Sequence, residues 1–386
     1  MLQPAIAGIV AAITGFSSSF AVVLAGLTAV GATQQQSSSG LLVTCLMMGG
    51  LSIVLSVVFK IPLKFAWSTP GAALLVATAG VTGRFAEAIA AFIVAAALIV
   101  FVGLWPALER LISRIPKPVS SAMLAGILLP LCLAPVRAAV EVPLLALPVI
   151  AVWLALYRLA PRWAVPAAIV LAAVLLALTT GSAWLRGSHL APQFEFTSPV
   201  FNPLVVVSLA VPLFVVTMAG QNIPGAAILG NFGYRTPVRP ALVSSGVASA
   251  VGALFGGITV NLAALTQALT AGPDASPQPG KRWLAPVCAG VTYIVLGLLA
   301  GVATAFVTAS PPVLIEAVAG LALLSALIGA VVAAVEDPTH RLAAMLTFLV
   351  TASGIVVAGI GSAFWGLLVG AIVMVWLGWR RRKRSS

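Results

Sequence analysis

The sequence predicts an all-α polytopic membrane protein with fourteen transmembrane segments, and three observations support this fold class. Hydrophobic residues make up 61% of the chain and charged residues only 7%, a balance that water-soluble globular proteins do not have. Apolar stretches of the roughly 20 residues needed to cross a bilayer recur from Ala5 to Trp379. Basic residues concentrate in every second connection between these stretches. We expect no soluble domain.

Glycine, proline and charged residues interrupt the apolar stretches and set the expected limits of the segments. The segments predicted in the first half cover residues 5–30, 38–58, 62–80, 85–103, 118–136, 143–160 and 163–181. Those in the second half cover residues 203–222, 238–256, 259–272, 284–308, 311–334, 341–358 and 360–379. The first stretch has no basic region and no clear cleavage site, which is typical of a retained first helix.

The basic residues predict the orientation. With the N-terminus inside, 17 of the 20 Lys and Arg residues face the cytoplasm. They are Lys60, Lys64, Arg110, Arg114, Lys117, Arg158, Arg162, Arg235, Arg239, Lys281, Arg282, Arg341 and the five bases of residues 380–384. The opposite side holds Arg84, Arg137 and Arg186. This asymmetry follows the positive-inside rule and predicts a bacterial-type inner membrane protein with both termini in the cytoplasm. The net charge of +12 is therefore a topology signal, and no nucleic-acid partner is expected.

The two halves are predicted to form an inverted repeat, because seven segments per half start the second half on the other side of the membrane. The third segment of each half is short and interrupted, with FAWSTPG in the first half and GITVNLAA in the second. Pro70 suits the first position of a helix with Ser68 or Thr69 as its cap, and Asn261 suits the cap of the second. We therefore expect half-helices in segments 3 and 10, with N-termini that meet near mid-membrane.

Two facing helix N-termini would form an anion site. Their free N–H groups and partial positive charge can hold an anion without a buried Arg or Lys. A single proline kink or a single hydrogen-bonding asparagine would be the ordinary explanation of either segment alone. Their matched positions in both halves favour the site, and hence a substrate with an anionic or strongly polar group.

Two amides, Gln221 and Asn222, end the eighth segment just before Pro224 and Gly225 break the helix. Buried amides are costly unless they are paired, so this stretch is a candidate part of the site.

The middle of the first segment offers hydroxyls flanked by aromatic rings. The residues are Phe16, Ser17, Ser18 and Phe20. Serine in membrane helices also serves close packing, so both a ligand role and a packing role stay open.

Two acidic residues are candidates for proton coupling. Glu316 lies within a predicted segment and Glu87 lies near the start of another. Carboxylates inside the membrane commonly relay protons, although Glu316 could instead reach the membrane interface.

No enzymatic chemistry, metal or cofactor is predicted. The sequence contains no arguable Ser/His/Asp arrangement, no HExxH and no phosphate-binding loop, and the histidines, His189 and His340, fall in connections on opposite sides. Cys45, Cys132 and Cys288 lie singly in apolar segments, which favours neither a metal site nor a disulfide.

The blocks VTMAGQNIPG, GNFGYRTP and GGITVNLAALTQALTAGPDASPQPGKRW resemble the benzoate/proton symporter family of the BenE type, and the resemblance covers nearly the whole chain. That family is similar to nucleobase/ascorbate permeases and sulfate-type anion transporters, whose seven-plus-seven repeat forms a core domain and a gate domain. The resemblance implies a core of residues 1–115 and 198–309. It implies a gate of residues 116–190 and 310–386, the last ending in the basic cytoplasmic tail.

The resemblance also places the substrate between the half-helices of segments 3 and 10, facing segments 1 and 8. The substrate-binding residues then expected are Phe16, Ser17, Ser18, Phe20, Trp67, Ser68, Thr69, Gln221, Asn222, Thr259 and Asn261. The nucleobase relatives usually carry acidic residues in segments 8 and 10, where this chain has Gln221 and Val260. Their absence suits a carboxylate substrate and leaves the proton to Glu316, Glu87 or the substrate itself.

These observations favour a symporter that imports benzoate or a similar aromatic carboxylate with protons by alternating access. Its expected partners are that anion, the proton and the lipid bilayer, with a homodimer expected by analogy. The alternative is a passive anion channel, or a transporter of another small organic anion, on the same fold. A membrane-embedded enzyme or a purely structural assembly partner is disfavoured, since no catalytic constellation is present.

Overall fold

The computed structural model describes residues 2–105, 117–180, 190–191, 193–264 and 266–382, and over these ranges the chain is a helical bundle with two short strand pairs. Several residues used to predict orientation or exclude chemistry lie outside the described residues: Arg110, Arg114, Arg186, His189, Lys383 and Arg384.

The first half contains eight described helices and one strand. In chain order they are α1 (Leu2–Ser17), α2 (Phe20–Ala29), α3 (Gln34–Phe59), β1 (Phe65–Trp67), α4 (Thr69–Ala77), α5 (Phe85–Leu104), α6 (Lys117–Glu141), α7 (Pro143–Leu159) and α8 (Pro161–Thr180).

The second half begins with α9 (Pro203–Asn231), which contains π-helical turns at Val206–Ala210 and Met218–Asn222. The elements that follow are α10 (Val238–Ala253), β2 (Val260–Leu262), α11 (Gln267–Ala271), α12 (Leu284–Leu298), α13 (Ala300–Ala309), α14 (Pro312–Val335), α15 (Arg341–Ala352), β3 (Val356–Val357), β4 (Ile360–Gly361) and α16 (Ser362–Arg382).

Each predicted segment overlaps one of these elements or a consecutive pair. The predicted break of the eighth segment after residue 222 is wrong, because α9 continues through Pro224 and Gly225 to Asn231. Over the described residues, seven helices are long and apolar enough to cross a membrane, with α1 and α2 counted together. The bent pair α12 and α13, which meet at 55°, adds an eighth such span. The third and tenth segments each combine a strand with a short helix, as the interrupted sequences predict.

The ends of α3 set the course of the chain into the third segment. Thr33 and Gln36 form a capping box at its start, with the Thr33 Oγ1 accepting from the Gln36 N–H at 3.2 Å and the Gln36 Oε1 accepting from the Thr33 N–H at 3.0 Å. At the other end, Lys60 adopts a left-handed conformation with φ of 55°, which stops the helix. The chain then turns back as an extended stretch that leads to β1.

Helix packing repeats between the two halves. Helix α3 packs on α12, and α5 packs on α10, so in both cases the second segment of one half meets the fourth of the other. Gly49 and Gly290 show how close α3 and α12 come. A Cβ atom on Gly49 would lie 2.7 Å from the Gly290 carbonyl oxygen, and one on Gly290 would lie 2.5 Å from that of Gly49. Small residues of this kind let membrane helices approach at backbone distance.

Candidate functional site

The two interrupted segments meet through a pair of antiparallel strands. Phe65, Ala66 and Trp67 of β1 lie opposite Leu262, Asn261 and Val260 of β2. The pairing continues beyond the strands, because the Ser68 N–H donates to the Thr259 carbonyl at 2.9 Å and the Ala263 N–H donates to the Lys64 carbonyl at 2.9 Å. These bonds satisfy backbone groups that would otherwise be unpaired inside the membrane. They also join the first half of the chain to the second.

The half-helix α4 starts directly after β1. The Ser68 Oγ accepts a hydrogen bond from the Gly71 N–H at 3.1 Å, so Ser68 is the cap, and Pro70 occupies the second helical position rather than the first. Proline is tolerated there, because the first N–H groups of a helix have no intrahelical partner. The start of α4 therefore presents a partial positive charge beside β1.

The prediction that Asn261 caps a half-helix is wrong. Asn261 lies in β2, where its Nδ2 donates to the Leu262 carbonyl at 3.0 Å, and α11 begins only at Gln267. The pairing of β2 with β1 keeps this part of the chain extended, although its alanine- and leucine-rich sequence suits a helix. Since α11 is only five residues long, its N-terminus does not amount to an anion site. The Oδ1 of Asn261 is buried without a hydrogen-bond partner.

The amides of Gln221 and Asn222 hold the free edge of this second segment. The Asn222 Oδ1 accepts from the Leu262 N–H at 3.0 Å, and the Gln221 Oε1 accepts from the Ala264 N–H at 3.2 Å. Both amides come from the second π-helical turn of α9, and π-turns are often found at functional sites. The amides thus stabilise the unwound chain, and Gln221 also lines the cleft described below.

The first segment breaks at Ser18 and Ser19, between α1 and α2. The Ser17 and Ser18 hydroxyls bond back to carbonyls of their own helix, at 2.6 Å to Ile13 and 2.9 Å to Gly15. The Ser19 Oγ donates to the Gly15 carbonyl at 3.3 Å and, in addition, accepts from the Trp67 Nε1 at 2.8 Å. Ser19, which is missing from the predicted site residues, therefore links the break to β1.

Three aromatic rings pack beside this break. Phe16 stacks on Phe20 with ring centroids 5.3 Å apart, and it meets Trp67 at 5.6 Å in a tilted arrangement. All three are buried. Of these rings, Trp67 is the one that lines the cleft described below. Phe16 contacts Trp67, and Phe20 stacks on Phe16.

Three hydroxyl groups link the N-terminal cap of α4, helix α9 and the residue that directly precedes β2. The Ser68 Oγ lies 2.9 Å from the Thr217 Oγ1, which lies 3.5 Å from the Thr259 Oγ1. All three side chains are buried, so this network holds the half-helix in place and does not face the cleft.

A narrow cleft lies where these elements converge. Four of the predicted site residues line it: Ser18, Trp67, Thr69 and Gln221. The remaining lining residues are Gly15, Ser19, Met48, Ala66, Ala263, Ala264, Thr266 and Tyr293. Tyr293 was not predicted as a site residue because it lies in an apolar segment. Thr266 was not predicted because the half-helix of segment 10 was expected to start earlier, after Asn261.

Lys64, expected in a cytoplasmic connection, is fully buried, and that expectation is wrong. Its Nζ donates to the Tyr293 Oη at 2.7 Å and also to the Thr266 Oγ1. Serines of α3 hold the chain on either side of it: the Ser56 Oγ donates to the Leu63 carbonyl at 2.9 Å, and the Ser52 Oγ accepts from the Phe65 N–H at 2.9 Å. The site therefore does contain a buried basic side chain.

The two predicted proton-coupling carboxylates lie elsewhere. Glu87 is in the first turn of α5, where it accepts from the Gly83 N–H at 3.2 Å and lies 4.0 Å from the Arg84 guanidinium. Glu316 is half-buried near the start of α14. Neither carboxylate lines the cleft. Over the described residues, no cluster of His, Cys, Asp and Glu could hold a metal ion.

Known proteins match this chain over nearly its full length. Residues 2–376 match the family model described as benzoate membrane transport protein. The chain is 39% identical over 378 residues to inner membrane protein YdcO of Escherichia coli strain K12, covering 96% of this chain and 94% of that protein. It is 34% identical over 320 residues to the benzoate membrane transport protein of Acinetobacter baylyi, covering 83% and 81%.

Solved structures share the fold. The transmembrane domain of the cyanobacterial bicarbonate transporter BicA superposes with a TM-score of 0.60 at 15% identity, over 96% of this chain and 98% of that one. The murine Slc26a9 anion transporter in its inward-facing state also gives 0.60, at 11% identity, over 97% of this chain and 68% of that one. The predicted seven-plus-seven inverted repeat is thereby confirmed. Family and fold alike are those of membrane transporters rather than enzymes, and the chain is a multi-pass membrane protein that belongs to the benzoate membrane transport protein family.

Proposed function

We propose that this protein is a secondary active transporter that imports benzoate, or a similar aromatic carboxylate, together with protons. The observation that carries the proposal is the composition of the cleft beside the paired strands β1 and β2. An aromatic ring, hydroxyl groups and the start of a helix converge there, with a buried amine behind them. The name of the Acinetobacter relative supplies the substrate class.

The arrangement suits a flat anion with one apolar face. The ring would lie against Trp67, whose own position is fixed by Phe16 and by the hydrogen bond to Ser19. The carboxylate would accept hydrogen bonds from Thr69 at the start of α4 and from other hydroxyls of the cleft. No acidic side chain is among the described lining residues, so nothing there would repel an anion.

Alternating access would come from motion of the core against the gate. We assign residues 1–115 and 198–309 to the core and residues 116–190 and 310–386 to the gate. All the described residues that line the cleft fall in the core, and the pairing of β1 with β2 ties its two halves together. A second small cleft, lined by Ser120, Ser121 and Leu124 of α6 and Val216, Ala219 and Gly220 of α9, lies on the core–gate boundary. The core would thus carry the substrate as one body.

We place the protein in the inner membrane, as the name of the Escherichia coli relative suggests, with both termini in the cytoplasm and with a homodimer as the assembly. Glu316 and Glu87, the two carboxylates predicted for proton coupling, both lie outside the cleft.

Counterflow in proteoliposomes tests the transport function and its substrate class. Vesicles loaded with unlabelled benzoate should take up labelled benzoate transiently above its equilibrium level, and acetate or uracil loaded instead should not support this uptake. A transporter of another small organic anion would show counterflow with that anion and not with benzoate.

A passive anion channel is the other alternative, and the same vesicles distinguish it. A channel gives no transient overshoot, because its pore does not alternate between two sides. Benzoate flux that is linear in concentration and free of overshoot, from protein that elutes as a single folded species, would contradict the proposed function.

A further inference from the structure

Lys64 is buried with polar but uncharged neighbours. Its side chain is 0% exposed, and its amine contacts the hydroxyls of Tyr293 and Thr266. Both hydroxyls line the cleft, whereas Lys64 itself stands behind them. An anion in the cleft would thus be separated from the amine by one layer of hydroxyl groups, or would reach it directly by displacing them.

Among the described residues, no carboxylate lies on the elements that surround this amine. The elements packed around it are α1, α3, β2, α11 and α12. Over the described residues, the titratable side chains on these elements are Cys45, Cys288 and Tyr293. The ion pairs found in the described part of the chain involve Arg84 with Glu87 and Asp337 with His340, both elsewhere.

The neighbouring basic residues are held away from the cleft by other partners. The Lys60 amine lies 4.0 Å from the centroid of the Trp283 ring. The Arg282 guanidinium donates to the carbonyls of Ser276 and Ala271, at 2.8 and 2.9 Å. Of these three basic residues, Lys64 is the one whose amine contacts cleft-lining side chains.

Gly15 allows α1 to pack closely against the Lys64 amine and the Tyr293 hydroxyl. A Cβ atom at position 15 would lie 2.7 Å from the Tyr293 Oη and 3.6 Å from the Lys64 Nζ. Glycine lets α1 approach both groups, just before the serines that enter the cleft. The amine, the two hydroxyls and the break in the first segment thus form one packed unit.

A buried ammonium without a counter-ion is costly, and such a group tends to give up its charge. A carboxylate beside it removes much of this cost. Binding of the anion and binding of a proton to the amine therefore stabilise each other, and this coupling is reciprocal.

We propose that Lys64 carries the proton that is transported with the anion. This inference rests on the proposed function. With the cleft empty, the amine is neutral; as the carboxylate enters, a proton from water on that side adds to the nitrogen lone pair. The ammonium and the carboxylate then cross as an electrically neutral pair. On the other side the anion leaves and the nitrogen returns its proton to water, with no bond of the substrate made or broken.

The test uses the full chain in proteoliposomes, with Lys64→Arg, Lys64→Gln and the matched control Lys60→Gln. Labelled benzoate is the probe. Counterflow is measured without a pH gradient, and accumulation is measured under an inward proton gradient. In parallel, proton uptake on benzoate binding is measured in weakly buffered detergent solution.

We expect Lys64→Arg, which keeps its charge at every accessible pH, to lose gradient-driven accumulation by roughly tenfold or more relative to its own rate of counterflow. Lys64→Gln should also lose gradient-driven accumulation, and Lys60→Gln should match the wild type in both assays. Wild-type protein should take up about one proton per benzoate bound, and both Lys64 variants close to none.

Accumulation at the wild-type level in either Lys64 variant, with normal wild-type transport, overturns this inference and leaves the proposed function standing. Benzoate binding to the wild-type protein without proton uptake also overturns this inference and leaves the proposed function standing. The proton-uptake measurement on the wild type gives this answer even where a Lys64 variant fails to fold. Absence of benzoate counterflow in the wild type overturns both.

Discussion

The Asn222 Oδ1 accepts a hydrogen bond from the backbone N–H of Leu262 at 3.0 Å, and this contact fastens α9 to the free edge of β2. Both residues are buried, so the N–H of Leu262 has no access to water in place of the amide. The contact explains why an amide stands within the otherwise apolar α9.

Asn222→Ala should therefore destabilise the fold by about 1–3 kcal/mol, the cost of leaving a buried donor unpaired. Thermal unfolding in detergent measures this, with Asn231→Ala at the exposed end of α9 as the control. The control should lie within about 0.5 kcal/mol of wild type. Equal unfolding temperatures for Asn222→Ala and wild type would show that the bond does not support the unwound segment.

Gly15→Ala should abolish most benzoate transport. The added methyl group would lie 2.7 Å from the Tyr293 Oη, so α1 or Tyr293 has to shift, and the hydroxyl is displaced from the cleft. Gly50→Ala in α3 is the control, since a Cβ atom there meets nothing within 4 Å and alanine favours a helix by roughly 0.5–1 kcal/mol. Counterflow rates, normalised to folded protein, make the comparison; equal rates for Gly15→Ala and Gly50→Ala would contradict the close packing.

Ser68→Ala should weaken the start of α4. It removes the cap on the Gly71 N–H and the contact with Thr217, and losing a cap of this kind costs about 1 kcal/mol. We expect weaker benzoate binding together with a lower unfolding temperature, whereas Ser353→Ala, at an exposed position, should change neither. A Ser68→Ala protein with unaltered stability and affinity would argue against an ordered half-helix at the site.

Gln221→Ala should raise the Kd for benzoate by roughly tenfold, because the amide both lines the cleft and holds the Ala264 N–H. Binding of labelled benzoate to the detergent-solubilised protein is the measurement. Gln35→Ala, at the exposed start of α3, is the control. An unchanged Kd would place the substrate elsewhere.

Much of the fold follows from the sequence, because the features that decide it are local. Gly, Pro and charged residues interrupt each apolar stretch, and Ser68 with Pro70 marks the start of α4 through capping chemistry that needs no tertiary contact. The paired interruptions in the two halves then point to segments 3 and 10.

The second half-helix was misplaced for a tertiary reason. Asn261 and the alanines after it suit a helix by local preference, but β2 pairs with β1, which lies far away in the sequence. Strand pairing between distant segments overrides local preference and has no local signature.

The site residues that sequence reasoning missed are buried by tertiary packing. In the sequence, Lys64 is one of the basic residues that the positive-inside rule assigns to a cytoplasmic connection. The fold shows instead that the serines of α3 hold the chain on either side of it and that its amine contacts the hydroxyl of Tyr293. Tyr293 itself looks like one more apolar residue of its segment.

The most direct test of the account is accumulation of labelled benzoate in proteoliposomes under an imposed inward proton gradient, at zero membrane potential. We predict accumulation above equilibrium that rises with the gradient and collapses when a protonophore dissipates it. Benzoate uptake that merely equilibrates, with the same final level at every gradient, would contradict proton-coupled transport.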